Sequence, residues 1–129
     1  MPKRLHNLPR WLPALIVMAA IFGFSSIPSS EMPRFGALDL ALKKGGHMLG
    51  YALLALSLLH WRRSLLELNP PPFKILFLVW ALASLYSLSD EFHQSFVPGR
   101  SANPFDLLID ATGAFLGLWL YSVWRRRKN

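Results

Sequence analysis

Apolar residues in this chain come in long runs without a 3.6-residue period, separated by polar or proline-bearing connections. The first run, Trp11 to Ile27, follows Lys3, Arg4 and Arg10 and closes on Ser25, Ser26, Pro28, Ser29 and Ser30. It just reaches the ~17 residues a span requires. A basic start followed by a short apolar stretch and small residues also describes a secretory signal peptide, but no clean A-x-A site follows, so a retained span is expected. Glu31 to Lys44 reads as a polar loop with Pro33, Gly36 and Asp39. The second run, Gly45 to Trp61, ends at Arg62-Arg63 and carries a small-xxx-small pair, Gly46 and Gly50, of the kind that allows close helix approach in lipid. Pro70, Pro71 and Pro72 end whatever precedes them. The third run goes from Phe73 to Ser89, with room for its helix to extend through Gln94, before Pro98-Gly99 forces a turn. The fourth starts near Pro104, a favoured first-turn position for proline, and continues to Trp124.

The expected fold class is therefore all-α: a polytopic bundle of four transmembrane helices at approximately 11–27, 45–61, 73–92 and 104–124, forming a single domain over residues 1–129. A composition 53% hydrophobic and only 16% charged is too apolar for an ordinary soluble domain of this size. Orientation follows from Lys and Arg beside each run. With the N-terminus cytoplasmic, that side receives Lys3, Arg4, Arg10, Arg62, Arg63, Lys74, Arg125, Arg126, Arg127 and Lys128, against Arg34, Lys43, Lys44 and Arg100 outside. Both termini are expected inside. Trp11, Trp61, Tyr121 and Trp124 then form an aromatic belt at the inner interface, and none of them entered the charge count.

The net charge of +7 changes nothing in this picture. The basic residues flank the apolar runs and form no aromatic-interleaved groove, which excludes a nucleic-acid partner and leaves membrane lipids. With no cysteine, disulfides, thiolate metal sites and cysteine nucleophiles are excluded.

Candidate chemistry gathers at the expected outer face. Lys44, His47 and Tyr51 are spaced i, i+3, i+7 on one stripe of the second helix, and Ser87, Asp90, Glu91 and Gln94 line the third. Asp106, Asp110, Gly113 and Gly117 form a stripe on the fourth that is acidic at its outer part and glycine at its inner part. Ionisable groups at membrane depth need partners, so Lys44, His47 and Arg100 are expected to balance the four carboxylates around one outward-facing pocket built from the second, third and fourth helices and the Gln94 to Pro104 loop. Lys44 and Arg100 are candidate anion clamps, with Tyr51, Asp90, Gln94, Asp106 and Asp110 completing a ligand-binding set. His47 and Glu91 are the candidate acid–base pair. A metal held by His47, Asp90, Glu91 and His93 would match no recognised ligand spacing, so neither a metal nor a cofactor is expected. Gly113 and Gly117 read as packing positions.

The pattern Lys44-x-x-His47-x-x-x-Tyr51, then Asp90-Glu91-x-x-Gln94-x-Phe96-Val97-Pro98-Gly99-Arg100, then Asp106-x-x-x-Asp110-x-x-Gly113-x-x-x-Gly117 closely resembles the VanZ-like membrane proteins. The middle block is the specific part, and His93 falls outside the pattern. The resemblance implies a small multi-pass protein of the bacterial plasma membrane and a cell-envelope role, since the family's namesake is a determinant of teicoplanin resistance. The leading expectation is binding of an anionic lipid or lipid-linked cell-wall precursor. An intramembrane enzyme acting on a phosphorylated head group and a structural assembly partner are the alternatives.

Overall fold

The protein is described by a computed structural model covering residues 8–66, 71–100 and 102–128, all helical apart from short connections. Lys3, Arg4, Pro70 and the side chain of Arg63, used above for topology and breaks, lie outside the described residues. Four helices follow in order: α1 (Leu12–Ser25), α2 (Asp39–Leu66), α3 (Phe73–Gln94) and α4 (Pro104–Lys128). Two short 3-10 turns, Ser29–Glu31 and Gly36–Leu38, occupy the α1–α2 connection.

The helix starts follow local chemistry. Pro13 sits in the first turn of α1, where its missing N–H costs nothing, and Pro72 precedes α3 with an extended backbone. α4 opens on Pro104 itself. α2 begins at Asp39, a turn and a half before the expected Gly45, so the second half of the expected polar loop is helical. Lys43 and Lys44 interrupt hydropathy without opposing helix, and Asp39 holds the entry by accepting the Phe35 N–H at 3.1 Å.

Among the described residues, α3 and α4 are the two helices long and apolar enough to cross a membrane. The 22 residues of α3 rise about 33 Å, matching a hydrocarbon core of about 30 Å. α1 has 14 residues and rises about 21 Å, shorter than the expected 11–27 run. α2 has 28 residues, but its Lys43-Lys44 and Arg62-Arg63 pairs fall within the helix.

Tyr51, Leu54, Ala55, Leu59, Val79, Ala83, Ala114 and Leu118 make a narrow apolar core on the inner faces of α2, α3 and α4. α2 and α4 share the most extensive contact, because α4 presents glycine where α2 passes. A Cβ on Gly113 would come within 2.4 Å of the Met48 carbonyl oxygen, and one on Gly117 within 3.1 Å of Ala52. The Gly46–Gly50 pair does not act this way: Gly46 faces open space and Gly50 meets only the Ile21 side chain at 3.6 Å. The outward faces carry Leu53, Phe77, Leu85, Leu108, Phe115 and Leu120, all exposed. Large apolar side chains thus point outward around a core of only a few residues, an arrangement suited to an apolar solvent.

Candidate functional site

One end of the bundle gathers the C-termini of α1 and α3 with the N-termini of α2 and α4, and the polar side chains singled out above meet there. The contacts follow from the helical spacing. On α3, Ser87, Asp90, Glu91 and Gln94 share the inward face and are all buried. On α4, Asp110 lies one turn above Gly113, so the glycine that brings α2 close also carries the carboxylate into the seam, where it is fully buried.

Asp110 is the hub. Its Oδ2 accepts from the Ser87 hydroxyl at 2.7 Å, and its Oδ1 lies 3.1 Å from His47 Nδ1. The contact fixes the orientation of the imidazole through its Nδ1 edge, and which partner donates depends on the tautomer. One turn out along the seam, Lys44 pairs with Asp106. One turn in, the Tyr51 hydroxyl donates to Asp90 Oδ2 at 3.2 Å, and at the ends of α3 and α1 the Gln94 amide donates to the Ser25 hydroxyl at 3.1 Å.

Glu91 meets the start of α4. Its Oε2 accepts the backbone N–H of Asn103, the residue before α4, at 3.3 Å, so its charge faces the positive end of that helix. Asp90 Oδ1 and Glu91 Oε1 are buried without a partner among the described residues.

Arg100 departs furthest from expectation. It was expected to balance the carboxylates, and it makes no ion pair with any of them among the described residues. Its Nε donates to the Ile27 carbonyl at 3.1 Å, and one terminal nitrogen donates to the Phe24 carbonyl at 3.0 Å and approaches Met32 Sδ at 3.1 Å. The guanidinium therefore caps the C-terminus of α1, where orphan carbonyls and the negative end of the helix dipole attract a cation. Pro98-Gly99 completes the clasp: Ser29 donates its N–H to the Pro98 carbonyl at 3.3 Å and its hydroxyl to the Gly99 carbonyl at 2.8 Å.

The cavity at this end lies between α1 and α2, outside the α2–α3–α4 seam where it was expected. It has a volume of about 310 Å³. Ile16, Val17, Ile21, Phe24 and Leu53 make its apolar wall, while Ser25, Lys43, His47, Tyr51 and Arg100 bring polar groups to it. Of the expected set, His47, Tyr51 and Arg100 reach the cavity; Asp110 and Asp90 stand behind His47 and Tyr51 as their partners, and Lys44, Glu91, Gln94 and Asp106 do not line it. Sequence reasoning missed Ser25 and the whole contribution of α1, whose near-uniform apolar run gave no sign of which face would be inward. His93 was considered only as a metal ligand. It stacks on Phe22 at 4.4 Å and bonds through Nε2 to the Ser26 hydroxyl at 2.9 Å, tying α3 to α1.

Among the described residues no three histidine or carboxylate side chains converge as a metal would require. What the arrangement offers is a carboxylate-oriented imidazole and two cations at the mouth of an apolar cleft. No curated protein and no solved structure matches the chain. A family comparison does match, over residues 3–125. That span contains the α2 stripe, the Asp90 to Arg100 block and the α4 stripe together, and by it the chain belongs to the VanZ/LLP1 family.

Proposed function

We propose that this is a multi-pass protein of the bacterial plasma membrane, with four spans, both termini cytoplasmic and the carboxylate-bearing end facing out. On this reading its α1–α2 cavity binds an amphiphile whose head group is anionic, either a lipid or a lipid-linked cell-wall precursor. Membership of the family supports a setting in the cell envelope and a link to glycopeptide resistance as part of this reading.

A single observation carries the binding function: one cleft joins an apolar wall from α1 to a rim bearing Lys43, His47 and Arg100. Ligand sites are commonly apolar with a few polar groups that fix orientation, and 310 Å³ lies at the small end of their range, of about 300–1,000 Å³. It suits part of one chain and its attachment to a head group. Arg100 still has guanidinium donors beyond those given to α1, and Lys43 is exposed at the rim.

Native mass spectrometry of gently solubilised protein tests this. A co-purifying lipid is expected on the wild type and absent from Gly46→Leu, since Gly46 borders the cavity with open space where a side chain would go. An adduct-free wild-type spectrum would overturn the proposal.

The His47–Asp110 contact favours a second reading, in which the imidazole acts as acid or base on a phosphorylated head group. His47→Gln would then keep the lipid adduct and lose turnover of it. Glu91, turned toward Asn103, is a weaker partner for that chemistry than Asp110.

A further inference from the structure

At the opposite end of the bundle a second groove, of about 360 Å³, runs between the C-terminal part of α2 and the N-terminal half of α3. Leu58, Trp61, Leu78, Val79 and Leu82 line it with one charged residue, Arg62. The Arg62 Nε is buried and has no hydrogen-bond acceptor among the described residues. A guanidinium stem held in an apolar groove with an unsatisfied N–H calls for an acceptor from outside the chain.

The surroundings indicate its charge. Lys74 and Arg125 to Lys128 belong to this end of the bundle, and of the seven acidic residues only Glu67 falls on this side in sequence. Phosphate is the acceptor that a planar guanidinium fork matches, and basic pockets between membrane helices take anionic head groups. The rest of the lining is aliphatic or indole, which offers a surface for an acyl chain and, in Trp61, a side chain at home at the head-group level.

We propose that the α2–α3 groove is a binding site for an anionic phospholipid, with its phosphate on Arg62 and an acyl chain along Leu58, Leu78 and Leu82. The site is separate from the α1–α2 cavity, shares no residue with it, and stands whichever way that cavity is occupied.

The test is titration of the purified protein in mild detergent with phosphatidylglycerol or phosphatidylcholine, bound lipids being counted by native mass spectrometry. Wild type should bind one phosphatidylglycerol in preference to phosphatidylcholine. Arg62→Gln should weaken that binding about tenfold, as loss of one charge-assisted hydrogen bond implies. Arg62→Lys should restore part of it, and Arg126→Gln, on the exposed terminal turn, should leave it unchanged. The Gly46-sensitive adduct of the other cavity should persist in Arg62→Gln. Equal binding of the two lipids by wild type overturns the proposal, as does equal loss in Arg62→Gln and Arg126→Gln, which would mean general surface charge. Should Arg62→Gln not fold, Leu78→Trp fills the groove and keeps the cation; undiminished phosphatidylglycerol binding there overturns it equally.

Discussion

Single residues in this protein do their work by what they omit as much as by what they carry. Gly113 exists because the α2 backbone passes where its side chain would be: an added Cβ meets Met48 O, Cα and C at 2.4, 2.7 and 2.9 Å, all main-chain atoms that cannot swing aside. Gly117 meets Ala52 at 3.1 Å, a contact a small shift relieves. Gly45, by contrast, has nothing within 4 Å. We expect Gly113→Ala to cost upward of about 2 kcal/mol by overpacking, Gly117→Ala about 1 kcal/mol or less, and Gly45→Ala to be neutral or to stabilise by up to about 1 kcal/mol through helix propensity. Thermal melting of the three variants in one detergent checks the order, and a melting point for Gly113→Ala at or above that of Gly117→Ala contradicts it. The consequence reaches the site, because Asp110 stands one turn from Gly113 and its contact with His47 depends on the same close approach.

Among the elements, the two connections at the carboxylate end behave as one clasp. Arg100 and Gly99 come from the α3–α4 connection, and Phe24, Ile27, Ser29 and Met32 from the end of α1 and the connection after it. Gly99 has a φ of +74°, a conformation costly for any side chain, and a Cβ there would sit 2.8 Å from Ser29 Cβ. Gly99→Ala should therefore release the 28–32 turn from its partner, raising hydrogen exchange there while the α2–α4 seam keeps its protection. Unchanged exchange at Ser29 would count against the clasp. Arg100→Lys should loosen the same segment, because one ammonium cannot reproduce a fork that reaches Ile27 and Phe24 together.

The clasp also marks where reading from sequence stops. The burial of Ser87, Asp90, Glu91 and Gln94 on one face of α3 was legible in their spacing, as was the meeting of the α2 and α4 stripes, because helical period fixes both. The acceptors of Arg100 were not legible. They are main-chain carbonyls at a helix end, which have no residue type to announce them, whereas four carboxylates in the sequence pointed to an ion pair that did not form. The α1 wall of the cavity was not legible for a related reason: an apolar run without period does not say which of its faces turns inward.

For the molecule as a whole, the decisive fact is that its polar chemistry and its basic charge lie at opposite ends. Four helices in alternating direction place the C-termini of α1 and α3 beside the N-termini of α2 and α4, so the carboxylates, Lys44, His47 and Arg100 share one end while the start of α1 and the end of α4 share the other. In the sequence, ten of the fourteen Lys and Arg residues flank the runs on the side assigned to the cytoplasm, and the orientation proposed above follows from them by the positive-inside rule. A polar site at the other end is then presented to the cell exterior. The expected outcome is that Ser95→Cys, at an exposed position after α3, reacts with a membrane-impermeant maleimide added to intact spheroplasts, while a fluorescent reporter fused after Asn129 lights up in the cytoplasm. Labelling of Ser95→Cys only after lysis would turn the bundle over and make the α1–α2 cavity an inward-facing site. It would also bring the Arg62 groove to the outer leaflet, so the same labelling decides which leaflet's lipids each site can meet.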